Sequence, residues 1–313
     1  MDFATIVDHK QSSHMYLEDW DNNKLIGGSE AATTITDRTG VKLHYNMIFS
    51  DPKGLENVVS SFAEYQWQYY PEDYTGTNAA KLAGGWHFSY PNFTAERFTE
   101  VCNAVYANGG FVSLVHPKSV GYISSDDPAD AFFRDGIGIE VFYTYFTTRD
   151  GWKTKANHKL WTDMMKAGYK VYATAGNDEH DMPSDKACSV IYAAERGADA
   201  WVQQLRKGQF VAGGVGVRSA MGDTMMGGTT SFEGKRFSFS VGDFHQSLYD
   251  PTHTYRADVY DQNGVVFSGE VDVNETTYFA FDANNASNYY YIEIVDVTDD
   301  SMIAIGNPIW NET

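Results

Sequence analysis

The feature that most constrains the fold is a helix–turn–strand unit that occurs twice in the middle of the chain. Phe98, Val101, Cys102 and Val105 recur at i, i+3, i+4 and i+7, which predicts a helix from Thr94 to Asn108, stopped by Gly109. It runs straight into Gly110–Pro117, an apolar run closed by a proline and therefore a buried strand. The form then repeats. A strand over Gly136–Tyr143 precedes a helix over Ala156–Lys166, with Leu160, Trp161, Met164 and Met165 on its apolar side, and a strand over Lys170–Ala175 follows. A further strand at Ala187–Ala193 and a helix at Asp199–Arg206 extend the series. Strands alternating with helices at this spacing imply an α/β domain built on a largely parallel sheet.

Upstream, extended segments are expected at Phe3–Val7, Lys24–Thr34 and Val41–Phe49. Asp51-Pro52 supplies an N-cap and a first-turn proline for a helix running to about Tyr70. The aromatic-rich stretch Trp67–Tyr90 then reads either as cover for a core under a long loop or as a substrate-binding lid. From about Phe232 the texture changes to short alternating runs at Phe237–Val241, Tyr255–Tyr260, Thr277–Phe281 and Tyr289–Val295, separated by turns. That pattern is expected to form a small antiparallel β-sandwich over 232–313, after a first domain over 1–220, with the boundary in the Met- and Gly-rich segment Met221–Gly234.

The chemistry-bearing residues collect at strand ends. Asp178 and His180 follow the strand that ends at Ala175, and taken alone they read either as a solvated polar loop or, since on an extended chain they point the same way, as a metal-ligand pair. His9 closes the first strand, Glu30 lies in the second, His44 in the third, and His116 ends the strand before Pro117. Imidazoles and carboxylates without a thiolate suit Zn, Mn or Fe. His14 is a substitute ligand or a loop histidine, and Glu140 is a supporting partner of an imidazole or a buried carboxylate. Lys118 and Arg218 can meet a substrate anion, although exposed bases are usually solvated. His158, His245 and His253 are expected at the surface.

Composition narrows the function. The 42 acidic and 23 basic residues give a formal charge of -19, which argues against nucleic acid and anionic lipid as partners. Cys102 and Cys188 read as buried free thiols rather than a disulfide framework. No run of about 18 apolar residues exists, so no membrane span is expected. No signal peptide is visible, which reads as cytoplasmic unless a missing N-terminus carried a signal.

Taken together, Asp8-His9, Gly28-Ser29-Glu30 with His44, His116-Pro117 and Asp178-Glu179-His180 resemble, in order and spacing, the motifs of the PHP (polymerase and histidinol phosphatase) family over residues 1 to 220. The trailing β domain, ending Gly306-Asn307-Pro308-Ile309-Trp310, is similar to the family's carbamate-hydrolase-like branch. The resemblance implies a distorted (β/α)7 TIM-like barrel whose metal ligands are His9, Glu30, His44, His116, Asp178 and His180, with His9, Asp178 and His180 as its catalytic members. It implies a metal-dependent hydrolase of small-molecule phosphate esters or related esters, working through a metal-activated water. The alternative is a catalytically impaired homologue that binds a ligand or a metal. The family's first motif, a His-x-His on the opening strand, has no counterpart here. The chain is therefore expected to start at the family's second strand, as a truncated or naturally reduced form, and to hold fewer than the two or three ions of a complete protein. An unpaired barrel edge at Phe3–Val7 favours truncation.

Overall fold

The computed structural model describes residues 3–76, 85–118, 122–143, 152–178, 188–245 and 249–312. The chain divides into two compact units, Met1–Ile137 with Ala193–Arg206, and Gly138–Tyr192 with Lys207–Thr313. The first holds β1 (Ala4–His9), β2 (Leu25–Ile35), β3 (Lys42–Phe49), α1 (Pro52–Ser61), β4 (Trp67–Tyr70), β5 (Gly85–Phe88), β6 (Asn92–Phe93), α2 (Ala95–Ala107) and β7 (Phe111–Val115). The second begins with β8 (Gly138–Tyr143), α3 (Trp152–Lys166), β9 (Tyr172–Gly176) and β10 (Ser189–Ile191). After α4 (Ala198–Lys207), which groups with the first unit, it continues through β11 (Phe210–Gly213), β12 (Gly216–Met221), β13 (Thr224–Met225), β14 (Thr229–Thr230) and β15 (Arg236–Gly242). It ends with β16 (Tyr255–Asp261), β17 (Gly264–Val271), β18 (Thr277–Asp282), β19 (Tyr289–Asp296) and β20 (Ser301–Asn311).

The chain does not form the (β/α)7 barrel. Only β1 and β2 run parallel in the main ladder of the first unit, while β2–β3 and β3–β7 are antiparallel. Four α-helices occur among the described residues, too few to follow every strand. The physical reason lies in the connections. Residues 36–41 are all that join β2 to β3, and a parallel crossover needs a dozen residues or more. A short link of that kind folds back as a hairpin.

Local chemistry explains where the helices sit. Asp51 caps α1 by accepting from the Lys53 N–H at 2.8 Å, with Pro52 in the first turn. That helix stops at Ser61, well short of Tyr70, because Trp67–Tyr70 pairs as β4 with β5 in an antiparallel hairpin. The aromatic and β-prone character of this run overrides the helical start. Thr94 caps α2 through Arg97 N–H, and Phe98, Val101, Cys102 and Val105 are all buried. Gly109, at φ +83°, turns the chain into β7, a conformation glycine adopts without steric cost. Every residue of β7 is buried, which fixes the platform on which His116 stands.

In the second unit β8, α3 and β9 form a βαβ turn with parallel strands, and the Trp161 indole, wholly buried, donates to Val171 O at 3.2 Å. Two further sheets, β10-β11-β20-β19-β16-β17 and β13-β12-β15-β18, pack around one apolar core. Phe237 and Phe281 from one sheet meet Tyr290 from the other with ring centroids 5.3 and 5.5 Å apart. Asn307 is buried on β20, where its Oδ1 accepts from Ala173 N–H at 2.8 Å and its Nδ2 donates to Phe210 O at 2.9 Å. One amide thereby ties β9 to β11. Cys102 is buried as expected of a core thiol, whereas Cys188 is only half-buried. No helix of the described residues is long and apolar enough to cross a membrane.

Candidate metal centre

Four neighbouring segments of the first unit bring the candidate ligands together. His9 and Glu30 are paired across the parallel β1–β2 ladder, and His44 stands on β3, itself paired with β2 on one side and β7 on the other. His116 follows β7 directly. Glu30 Oε1 lies 2.8 Å from His44 Nδ1 and 4.0 Å from His116 Nε2, and those two ring nitrogens lie 3.2 Å apart. His9 Nδ1 approaches the other carboxylate oxygen at 3.9 Å. Glu30 and His116 are buried, while His44 and His9 reach the surface.

A hydrogen bond alone does not account for this focus. One proton on His44 Nδ1 satisfies Glu30, yet His116 Nε2 faces the same nitrogen. Three ligand-type atoms this close to one another suit a divalent cation, since the edge of a tetrahedron of Zn–N radius is about 3.3 Å. The spacings of 2.8, 3.2 and 4.0 Å bracket that edge. The residues present therefore fit a metal ion. Burial by itself pushes the Glu30 carboxyl up, but the hydrogen bond to His44 and the charges of His9, His116 and His44 outweigh it, holding its pKa below the usual value.

The backbone around the ligands is strained. Lys10 and His116 have φ of +62° and +37°. A lysine there is uncommon, and such conformations persist only where surrounding structure holds them. At Lys10 the Lys10 N–H donates to Glu30 O at 3.1 Å and the Phe88 N–H donates to Lys10 O at 3.0 Å. Ser29, fully buried beside Glu30, secures the same turn, donating to Asp8 O at 2.9 Å and accepting from Gln11 N–H at 3.1 Å.

Two tyrosines border the ligands. Tyr90 Oη lies 3.2 Å from His9 Nδ1, and burial pushes its phenol well above the usual range. The Tyr122 ring packs 4.3 Å from the His44 ring and 5.3 Å from that of His116. Neither tyrosine carries a local motif. Tyr90 arrives through the β4–β5 hairpin, whose residues show locally only an aromatic-rich run.

Other candidates fall elsewhere. Asp178 belongs to the second unit, at the end of β9, where the Tyr143 hydroxyl donates to it at 2.9 Å. His180 lies outside the described residues. In the same unit Glu140 is buried, with its carboxylate against Gly176, where any Cβ would overlap it. His14 sits on a 3-10 turn at Ser13–Tyr16, 3.9 Å from the Asp8 carboxylate, and burial lowers its pKa. Lys118 spends its ammonium on Ile123 O, Ser125 O and the Asp126 carboxylate, and Arg218 stacks over Tyr192 in the second unit. His158 pairs with the buried Glu293 at 2.7 Å, and His253 sits among Asp296, Asp299 and Asp250 at 2.7, 3.8 and 3.7 Å. No family model, curated protein or solved structure matches the chain.

Proposed function

We propose that this chain is a metal-dependent hydrolase of phosphate esters or related esters, with the metal held by Glu30, His44 and His116 and supported by His9. The observation that carries the reading is the convergence of Glu30 Oε1, His44 Nδ1 and His116 Nε2 within 4.0 Å, from two adjacent strands and the residue that follows a third. The order of the ligand-bearing segments, similar to that of the PHP family, adds to it. Zn, Mn or Fe matches the donor set. Such an ion, when bound, supplies Lewis acidity and lowers the pKa of a water it holds toward neutrality.

The chain's own residues do the rest. Glu30 brings one negative charge to a cluster of imidazoles and orients His44 through its Oε1. The rigid, fully buried β7 fixes His116, and the Tyr122 ring shields the two inner imidazoles on one side. Tyr90, which keeps its proton, presents a hydroxyl at the outer edge beside His9.

Metal content and turnover on the same sample test the reading. Purified protein given Mn or Zn is expected to retain at least one ion per chain by elemental analysis and to hydrolyse 4-nitrophenyl phosphate or its diester. An ion retained without turnover on any ester would favour a metal-binding protein instead, and absence of both would sink the centre.

A further inference from the structure

We propose that the outer face of the β12–β15–β18 sheet is a binding site for an acidic oligosaccharide, a short sugar chain that carries hexuronate carboxylates. The site lies wholly within the second unit and does not rest on the hydrolase reading.

Register builds the site. β15 pairs antiparallel with β12 on one side and with β18 on the other, so alternate residues of the three strands line up in rows across the outer face. Arg218, Ser240 and Tyr278 form one row. Ala220, Ser238 and Ala280 form the next, and Met225 of β13 extends it beyond Ala220. This second row is small. It leaves a trough between the first row and the ion pair of Arg236 with Asp282, which stand opposite each other in the row that follows. The groove has a volume of about 450 Å³, within the range of small-ligand sites. The opposite face sends Val217, Phe237, Phe239 and Val241 into the core, so the platform is firmly backed.

The lining groups select one ligand chemistry. Arg218 is exposed, its guanidinium rests 4.7 Å from the centre of the Tyr192 ring, and among the described residues no carboxylate pairs with it. In a chain of net charge -19 such an uncompensated cation is a place to receive a carboxylate, and the planar guanidinium does so through two parallel bonds. Tyr278 stands at the other end of the row and is 77 % exposed. Its ring offers a flat surface to the C–H face of a pyranose, and its hydroxyl a polar handle. Two strand spacings separate Arg218 from Tyr278, about 10 Å at the backbone, a span that a short chain of sugar rings bridges. Ser238 and Ser240 supply hydroxyls that both donate and accept, as sugar hydroxyls require. An acidic peptide fits less well. The backbone of β15, at the floor of the trough, is already paired on both sides, and an extended peptide binds a sheet by adding at its edge.

Calorimetric titration of the full chain with trigalacturonate, trimannuronate and a hyaluronan tetrasaccharide tests the site, with hexaglutamate as the peptide control. At least one of the sugars is expected to bind with a Kd at or below about 1 mM. The methyl ester of that sugar keeps every ring and hydroxyl but loses the charge, and is expected to bind about tenfold more weakly. Arg218→Gln should weaken the acid about tenfold and abolish the difference between acid and ester, while Arg218→Lys recovers part of the affinity. Tyr278→Ala should weaken acid and ester alike, about three- to tenfold. These side chains face solvent, so the variants are expected to melt with the wild type. The comparison of acid with ester on the wild type needs no substitution and decides the charge requirement by itself. Absence of binding with all three sugars overturns the proposal, as does an ester that binds as tightly as its acid or equal affinity of the acid for wild type and Arg218→Gln. Hexaglutamate binding as tightly as the sugars overturns it too, and would assign the face to an acidic peptide.

Discussion

Replacing Glu30 by Gln keeps its shape but removes the charge on which three imidazoles converge, so it separates the metal centre from the fold around it. We expect Mn or Zn affinity to fall by more than the about 10–100-fold that loss of an outer hydrogen-bonding partner costs. Calorimetric titration checks this, and wild-type affinity in Glu30→Gln would contradict the assignment. His253 makes a second, independent prediction. The hydrogen bond to Asp296 comes first among the causes that raise its pKa, ahead of opposing desolvation and the charges of Asp296, Asp299 and Asp250. A raised folded pKa contributes stability that is fully present below about pH 6.5 and is lost as pH rises through the folded value. The melting temperature of His253→Gln should therefore fall below wild type at pH 6, and the gap should close toward pH 9. A gap that widens with pH would show the opposite sign. Residues of this scale were unequally legible. His9 and His116 are legible because a ligand type at a strand end is a local signal, and Glu30 and His44 because each is a ligand type inside a largely apolar strand. Lys10, Tyr90 and the carboxylates around His253 are not, because segments distant in sequence bring them together.

At the scale of elements, strand and helix existence followed from periodicity, while strand direction did not. The α2 helix could be read from Thr94, its apolar stripe and Gly109, since all three signals lie within the helix or within two residues of its ends. The direction of β3 depends on residues 36–41, whose brevity excludes a crossover, whereas the repeating helix–strand units downstream point to a parallel sheet and the family resemblance implies a barrel. The strands β11, β17 and β20 escaped notice for another reason. Their partners supply the burial pattern, and Gly306, Asn307 and Pro308 inside β20 are poor strand formers alone. Gly28 shows how closely these strands approach. A Cβ there would overlap the Met47 carbonyl oxygen on β3, a backbone atom that cannot step aside. Gly28→Ala is expected to lower stability by about 1–3 kcal/mol in urea unfolding, the range for overpacking, and to disturb Glu30 two residues away. A variant as stable as wild type would mean that β2 and β3 are farther apart than described.

For the whole molecule, an ion held by the folded state and not by the unfolded chain adds stability through mass action. Metal at a hundredfold excess over Kd contributes about 2.7 kcal/mol. Chelation by EDTA should accordingly lower the unfolding midpoint of wild type and leave that of Glu30→Gln nearly unchanged. Equal shifts in both would place the chelator-sensitive ion elsewhere. Asn307 adds a consequence in time. Its side chain, 134 positions after Ala173 and 97 after Phe210, joins the Ala173 N–H to Phe210 O. At synthesis rates of about 5–20 residues per second, β9 waits roughly 7–27 s on the ribosome before its amide partner exists. During that interval the Ala173 N–H must be answered by water, so the strand leading to Asp178 acquires its final lateral bond among the last events of the chain's assembly.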